Sequence, residues 1–387
     1  MILIDGRAIH PHLSGIGRYT LNLLHGLDAV GRDDTLGPIK VWVRPDAPLP
    51  DALTRSEALD LIERDGRPQD ATNQLRGQRE LRQMGVELFH CPDVFVPWGT
   101  KCRRVVTIHD VIPLVCRGML HRSRKQKFAR LWRAWSRTQA RAAEGVITVS
   151  RYSATDIQRQ LGVAPQRIHV IHNAVAPMDK SAGRAADNGH DPLAPRGIRG
   201  PFVLNVGRRD PYKNVDGLVR AFATLRQRFT DVPDDLQLVL VGDPDPRYPA
   251  AEQEVRRLGL EDAVVFTGYT SEATLAELYR RAAVLAMPSL YEGFGLPAVE
   301  AMRAGTPVVA GAVASLPEVV GDAGLLFDAH RPEALVEAMH KVLVDHELTD
   351  ILRERGWQRI EQFSLEKAGA RHVALYRQLL QPAPGTR

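Results

Sequence analysis

The chain has 387 residues, 44% of them hydrophobic and 25% charged, with a formal net charge of +5. That length exceeds one ordinary core, and the composition excludes a disordered or fibrous chain, so two folded domains are expected. Cys91, Cys102 and Cys116 form no even framework and no metal-ligand spacing, no apolar run reaches the roughly 18 residues of a membrane span, and the positive surplus favours an anionic partner without naming it.

The opening Met1-Ile2-Leu3-Ile4-Asp5-Gly6 carries no charged lead and no small-residue cleavage site. No signal peptide is therefore expected, and with the odd cysteine count this points to a reducing, cytoplasmic setting. In chain order, a strand at 2–4 leads into the loop Ser14-Gly15-Ile16-Gly17-Arg18, then a helical pattern over 19–27. Strands follow at 41–43, 88–90, 105–108, 146–149 and 168–171, with helical patterns between them. Such alternation predicts a parallel sheet covered on both faces. Residues 178–200 turn rich in Asp, Gly, Ala, Arg and Pro, the composition of a linker or exposed loop. A second series then restarts, with strands at 202–206, 236–241, 263–266, 284–287 and 308–310 and helices at 215–229, 273–283 and 332–344. The tail over 364–380 reads as an amphipathic helix. The expectation is two doubly wound domains, 1–177 and 201–362, joined by the linker 178–200 and followed by the tail 363–387, with ligands at the carboxyl ends of the strands.

The most chemically specific stretch is Met287 to Gly305, which places Glu292 and Glu300 around the turn Gly293-Phe294-Gly295-Leu296 at the start of a short helix. Pro297 suits the first helical turn and Gly305 stops the helix. Backbone N–H groups at a helix start attract anions, and glycines let a ligand approach closely. A phosphate-bearing ligand whose hydroxyls are held by carboxylates is the reading. Gly293 to Ala298 also fits a dinucleotide fingerprint, but the next strand ends Val309-Ala310-Gly311 without the ribose-binding acid, which sets that reading aside.

Gly207-Arg208-Arg209-Asp210-Pro211-Tyr212-Lys213-Asn214 follows the first strand of the second series. Arg208 and Lys213 there offer one forked and one point-like cation, the pair a diphosphate wants. His109, in Thr107-Ile108-His109-Asp110, ends a strand and is expected to face the interdomain cleft, with Asp110 orienting it or binding a hydroxyl; a core or capping histidine is the bland alternative. Gly15 and Gly17 resemble a phosphate-approach turn without its third glycine. Asp243-Pro244-Asp245 spaces two acids as a metal-diphosphate site would, though its prolines favour a plain turn. Finally, Phe128, Leu131, Trp132 and Trp135 share one helical stripe among Lys125, Lys127 and Arg130. Such a helix either lies in an anionic membrane surface or packs its stripe on the core. No nucleic-acid module accompanies the charge, so nucleic acid is not an expected partner.

Across nearly its whole length the chain resembles the retaining glycosyltransferases of family 4, which have the GT-B fold. The residues that carry this are Tyr291-Glu292-Gly293-Phe294-Gly295-Leu296-Pro297 with Glu300-Ala301-Met302, then Gly15-Ile16-Gly17, His109, Gly207-Arg208 with Lys213-Asn214, and Phe266-Thr267-Gly268-Tyr269. The order around Ser14 to Tyr19 and Thr107 to Asp110 is most similar to a bacterial mannosyltransferase branch of surface-polysaccharide synthesis. The resemblance implies two Rossmann-like domains facing across a cleft, the first for the acceptor and the second for a nucleotide-sugar donor, with the C-terminal helix crossing back. Arg208 and Lys213 would hold the diphosphate and Glu300 the ribose. Glu292 and the backbone of Gly293, Phe294, Gly295 and Leu296 would hold the sugar, with Tyr269 at the base, His109 at the sugar and Gly15 and Gly17 near the phosphates. It implies GDP-mannose as donor ahead of UDP-glucose and dTDP-rhamnose, a glycan or lipid-linked glycan acceptor, retention of configuration, and neither metal nor other cofactor. Location would be cytoplasmic, at the inner face of the plasma membrane if the basic helix binds lipid. The family's usual Asn-Gly is Asn173-Ala174 here, and its Phe-Ser-Trp is Phe363-Ser364-Leu365. A glycoside hydrolase or phosphorylase with paired carboxylates, and a non-catalytic nucleotide-binding scaffold, remain as rivals.

Overall fold

The computed structural model describes residues 1–12, 14–120, 128–175 and 191–381. The chain divides into two compact units, one of residues 1–114, 128–176 and 363–387, the other of residues 115–127 and 177–362.

In the first unit seven parallel strands form one sheet: β1 Ile2–Asp5, β2 Ile39–Val43, β3 Leu59–Glu63, β4 Leu88–Cys91, β5 Arg103–Thr107, β6 Gly145–Thr148 and β7 Ile168–Val170, in the order β3-β2-β1-β4-β5-β6-β7. Ile4 stands opposite Val41 on one side and His90 on the other. Every residue of β1, β4 and β6 is buried, as strands covered on both faces require. The strand order reverses between β1 and β4. In an open α/β sheet the crevice outside the carboxyl ends at such a reversal is the natural ligand position.

The second unit repeats the plan with six parallel strands: β8 Phe202–Val206, β9 Gln237–Val241, β10 Val264–Gly268, β11 Val284–Met287, β12 Val308–Gly311 and β13 Leu325–Phe327, in the order β10-β9-β8-β11-β12-β13. Its reversal lies between β8 and β11. Leu218, Phe222, Leu240 and Met339 anchor its core. Both units are doubly wound Rossmann-like folds, as expected.

Two strands escape a pattern-based reading, β3 and β13. Both lie at sheet edges: Leu59 is buried while Asp60 and Glu63 are exposed, and β13 is only Leu325–Phe327. A strand covered on one side lacks the continuous apolar run that betrays a central one.

Of the expected linker 178–200, residues 178–190 lie outside the described residues. The remainder is packed into the second unit. Leu193 and Ile198 are buried, and Asp191 accepts a 2.7 Å hydrogen bond from Arg281. Two apolar side chains thus anchor a segment whose polar composition hides them.

The helix Leu365–Leu380 packs lengthwise on the helix Gly15–Val30 within the first unit. The contact depends on two glycines. A Cβ at Gly26 would stand 2.7 Å from the Leu365 carbonyl oxygen, and one at Gly369 would overlap the Gly26 carbonyl. Backbone therefore rests on backbone. Ser364 caps this last helix, its Oγ accepting from Lys367 N–H at 3.3 Å.

Candidate functional site

At the β8/β11 reversal of the second unit, two loops are stitched together. After β8 the chain makes a short 3-10 turn, Pro211–Lys213, and enters the helix Val215–Arg228 through Asn214 at φ +53°. Asn214 Nδ2 donates to the Pro288 carbonyl at 3.3 Å, and Leu290 N–H donates to the Tyr212 carbonyl at 2.7 Å. The loop after β8 is thereby laid against the loop after β11.

That second loop turns at Gly295, φ +102°, where a Cβ would stand 2.8 Å from Leu316 Cδ2. Only glycine satisfies both the left-handed backbone and the space. The helix Leu296–Ala304 starts there with Pro297 in its first turn, and Gly305, φ +76°, ends it by donating to the carbonyls of Ala301 and Met302. Ser315, fully buried, holds the turn from beneath: its Oγ lies 2.9 Å from the Glu292 carbonyl oxygen and 3.0 Å from that of Phe294. The start of this helix, with the positive end of its dipole, makes an anion-favouring spot.

The charged side chains sort into two sets. Lys213 Nζ donates to Glu292 Oε1 at 2.6 Å, and Ser289 Oγ donates to the same oxygen at 2.7 Å. Both residues of that ion pair are largely buried, with 18% and 7% of their side chains exposed. Arg208, by contrast, is 65% exposed and reaches Asp210 at 3.3 Å and Asp245 at 3.6 Å. Asp245 is itself gripped by Arg247 at 2.6 Å, and that hydrogen bond, with Arg208 adding its field, pushes its pKa down to about 2. Asp245 therefore spends its carboxylate on guanidinium groups, which is the work of a turn.

Glu300 lies on the buried side of the Leu296–Ala304 helix, 5% exposed, and accepts a 2.7 Å hydrogen bond from the Tyr279 hydroxyl. The two carboxylates read together in the sequence are thus held separately, Glu292 by the β8 loop and Glu300 by the helix Glu272–Arg281. Tyr269, just after β10, is 49% exposed. Arg209, which the sequence reading passed over, is the buried member of its pair. It binds Glu252 at 2.6 Å and the Gly242 carbonyl at 2.9 Å and stacks over Phe266 at 4.7 Å, pinning the loop that carries Arg208. Ser289, Ser315 and Tyr279 were also missed. Ser289 sits three residues before Glu292 and was open to suspicion; Ser315 and Tyr279 are over 20 residues from their partners and carry no local signal.

In the first unit Ser14 caps the helix Gly15–Val30, its Oγ accepting from Gly17 N–H at 3.2 Å. A Cβ on Gly15 would meet nothing within 4 Å, so this turn is open, while Gly17 is buried. His109 Nε2 lies 3.0 Å from the Pro92 carbonyl, which can only accept, so Nε2 carries the proton. The ring stands edge-on to Tyr19, centroids 4.6 Å apart. Asp110, expected to orient this histidine, caps the following turn by accepting from Ile112 N–H at 2.9 Å.

Behind His109 runs a buried polar chain absent from the sequence reading. Tyr19 Oη lies 3.1 Å from Thr107 Oγ1 and 3.2 Å from His372 Nε2. His90 bridges Thr107 at 2.9 Å and the Tyr376 hydroxyl at 2.6 Å. Burial pushes the His372 pKa down to about 4 and that of His90 well below 6.5, so both are neutral at pH 7.

The basic, aromatic stripe divides. Lys125 and Lys127 lie outside the described residues. Trp135 turns inward, donating from Nε1 to the Val94 carbonyl at 3.0 Å and meeting Trp98 edge-on. Phe128 and Leu131 are exposed, 59% and 68%, near Arg130, with Trp132 half-buried. Neither expectation, whole stripe outside or whole stripe packed, describes it. A helix of 3.6 residues per turn carries Leu131 and Trp135 about 40° apart, enough for the edge of a packed face to divide them.

Two family models match the chain: "Glycosyltransferase Family 4" over residues 13–178 and "Glycosyl transferases group 1" over residues 196–359. The chain is 29% identical to the O-antigen chain mannosyltransferase B of Escherichia coli, covering 98% of this chain and all of that protein. It is 33% identical to the MMP alpha-(1->4)-mannosyltransferase of Mycolicibacterium hassiacum over 65% of this chain, spanning 59% of that relative. Its fold is similar to that of sucrose-phosphate synthase from Thermosynechococcus elongatus, with a TM-score of 0.74 at 24% identity over 98% of both chains.

Proposed function

The chain belongs to the glycosyltransferases of family 4, with the GT-B fold, and from that membership we propose that it moves a mannosyl group from GDP-mannose to a glycan acceptor in surface-polysaccharide synthesis, with retention. The observation that carries this reading is the Lys213–Glu292 pair, 2.6 Å apart beside the glycine turn that opens the Leu296–Ala304 helix. A cation, a carboxylate and a helix N-terminus meet there, the set needed by a diphosphate joined to a polyol. The mannosyltransferase relatives support mannose as the sugar.

In this reading Lys213, Arg208 and the helix start receive the diphosphate, Glu292 and the 293–296 backbone hold the sugar hydroxyls, and Glu300 holds the ribose. Tyr269 offers an exposed ring to the base. As the bond from the sugar C1 to the β-phosphate oxygen breaks, its electron pair passes to the phosphate, and the fixed donors stabilise that charge without reorganising. The acceptor oxygen bonds to C1 on the same face and its proton passes to the leaving phosphate. Glu292, already bound to Lys213 and Ser289, is a sugar ligand and not a nucleophile. The engagement of Asp245 by Arg247 and Arg208 supports a metal-independent reaction.

A thermal-shift series with GDP-mannose, UDP-glucose and dTDP-rhamnose tests the donor, because a ligand of the native state raises its stability. GDP-mannose is expected to give the largest shift and to yield a mannosylated product. A larger UDP or dTDP shift would move the donor; no nucleotide shift, with cleavage of oligosaccharide instead, would replace the transferase by a hydrolase or phosphorylase. Exposed Phe128 and Leu131 beside Arg130 support a peripheral contact with anionic lipid. Co-sedimentation with phosphatidylglycerol vesicles, weakened by Leu131→Ser, is the expected result, and equal recovery with neutral vesicles would remove it.

A further inference from the structure

Segments far apart in the chain meet behind His109: Tyr19 on the helix Gly15–Val30, His90 on β4, Thr107 at the end of β5, and His372 and Tyr376 on the helix Leu365–Leu380. All five side chains are buried. None of them belongs to the second unit or enters the donor chemistry above.

One backbone carbonyl orders every proton in this cluster. His372 Nδ1 lies 2.8 Å from the Ala368 carbonyl oxygen, which can only accept, so Nδ1 carries the ring proton. The ring is neutral at pH 7, because burial pushes its pKa down to about 4, and Nε2 therefore accepts. The Tyr19 hydroxyl, 3.2 Å from that nitrogen, donates to it. With its single proton spent, the same hydroxyl accepts from Thr107 Oγ1 at 3.1 Å. Thr107, its own proton spent, accepts from His90 Nε2 at 2.9 Å. Burial keeps His90 neutral as well, so its Nδ1 accepts from the Tyr376 hydroxyl at 2.6 Å. Donation thus runs one way, from Tyr376 through His90, Thr107, Tyr19 and His372 to Ala368, and the chain begins and ends on the last helix.

A hydroxyl held by a donor and an acceptor at once fixes the direction of the ring that carries it. The Tyr19 ring stands edge-on to His109, centroids 4.6 Å apart at an interplanar angle of 82°, the arrangement that ring quadrupoles favour. Thr107 meanwhile ties down the end of β5, two residues before His109. His109 is half-buried and donates from Nε2 to the Pro92 carbonyl, so Nδ1 is the nitrogen that accepts. We propose that Tyr19 is a positioning residue for His109: the ordered chain from the last helix locks the tyrosine ring, and that ring with the Pro92 carbonyl holds the imidazole in one tilt and one tautomer. The proposal rests on the transferase reading, with His109 at the sugar as the family resemblance implies, for its effect on turnover, and on the cluster alone for the geometry.

The test reads the imidazoles directly. Nitrogen NMR of the isotope-labelled full chain reports each ring's tautomer, with His109→Gln and His372→Gln identifying their signals. The Nδ1–H form is expected for His372 and the Nε2–H form for His109. Tyr19→Phe keeps the ring and removes both of its hydrogen bonds. The His109 signals should then move towards a mixture of tautomers while circular dichroism stays that of the folded chain. In the same variant kcat should fall roughly tenfold to a hundredfold with the donor KM unchanged, as for a lost alignment and not a lost ligand contact. Thr107→Val should copy this effect, and Thr107→Ser, which keeps the hydroxyl, should restore both the signals and kcat. His372 in the Nε2–H form, a measurement on the wild type alone, would overturn the proposal. So would His109 signals and kcat indifferent to Tyr19→Phe, or Thr107→Ser behaving as Thr107→Val does. A wild-type chain that transfers no sugar, yet whose His109 signals respond to Tyr19→Phe, would instead overturn the transferase reading and keep the positioning.

Discussion

The two units place a ligand position at the same point of the same topology and furnish it in opposite ways. At the β8/β11 reversal the loops are bound to one another, with Lys213 on Glu292, Asn214 on Pro288, Leu290 on Tyr212 and Ser315 under the glycine turn. At the β1/β4 reversal the walls carry forks closed within their own segments, Arg7 on Asp5 and Arg44 on Asp46, around an open cavity. The first arrangement suits charge stabilisation, since donors that are fixed in advance need not reorganise when charge develops. The second spends the guanidinium groups of Arg7 and Arg44 on carboxylates of their own segments. The first unit's strand ends carry, besides these ion pairs, the neutral His90–Thr107–Tyr19–His372 chain.

The largest effect that would sharpen this contrast is Lys213→Ala. Turnover should fall by about a hundredfold or more, the scale of one lost transition-state donor, while circular dichroism stays that of the folded chain. Kinetics like those of the wild type would remove the charged site from the second unit.

Acid should separate the units next. A histidine kept neutral in the fold takes its proton first in the unfolded chain, so its contribution is present at neutral pH and is lost as pH falls from about 6.5 to about 4, the span between the unfolded and folded His372 values. His372 alone accounts for about 3 kcal/mol of that loss, and His90 acts in the same direction. In the second unit Asp245, held near 2, keeps its ion pair until pH drops below the usual carboxylate range. Hydrogen-exchange protection, taken relative to the slower intrinsic rate at pH 5, should therefore fall in β4, β5 and the Leu365–Leu380 helix before it falls in the second unit. An equal loss of protection in both units would contradict the assignment.

The smallest effect is expected from Tyr279→Phe, which removes the hydroxyl on Glu300 and little volume. Stability should drop by about 1 kcal/mol, read from the urea midpoint, with weaker binding of GDP and an unchanged sugar preference. A change in sugar preference would show that Glu300 and Glu292 do not divide the donor as proposed.

What the sequence by itself determined was contiguous. Residues 287–305 spell a buried strand, a glycine turn and a capped helix within one short stretch, because strand burial, left-handed glycines and helix capping act over a few residues. The two sheets were legible for the same reason, apart from the one-sided edge strands β3 and β13 and the buried anchors Leu193 and Ile198. Tertiary structure alone decided which partners those residues meet. Lys213 lies 79 positions from Glu292, Ser315 holds a turn 21 to 23 positions earlier, and His90 meets Tyr376 across 286 positions. Periodicity tells a side chain that it is buried and not what it is buried against. For a polar group that second fact sets its partner, its protonation and its role.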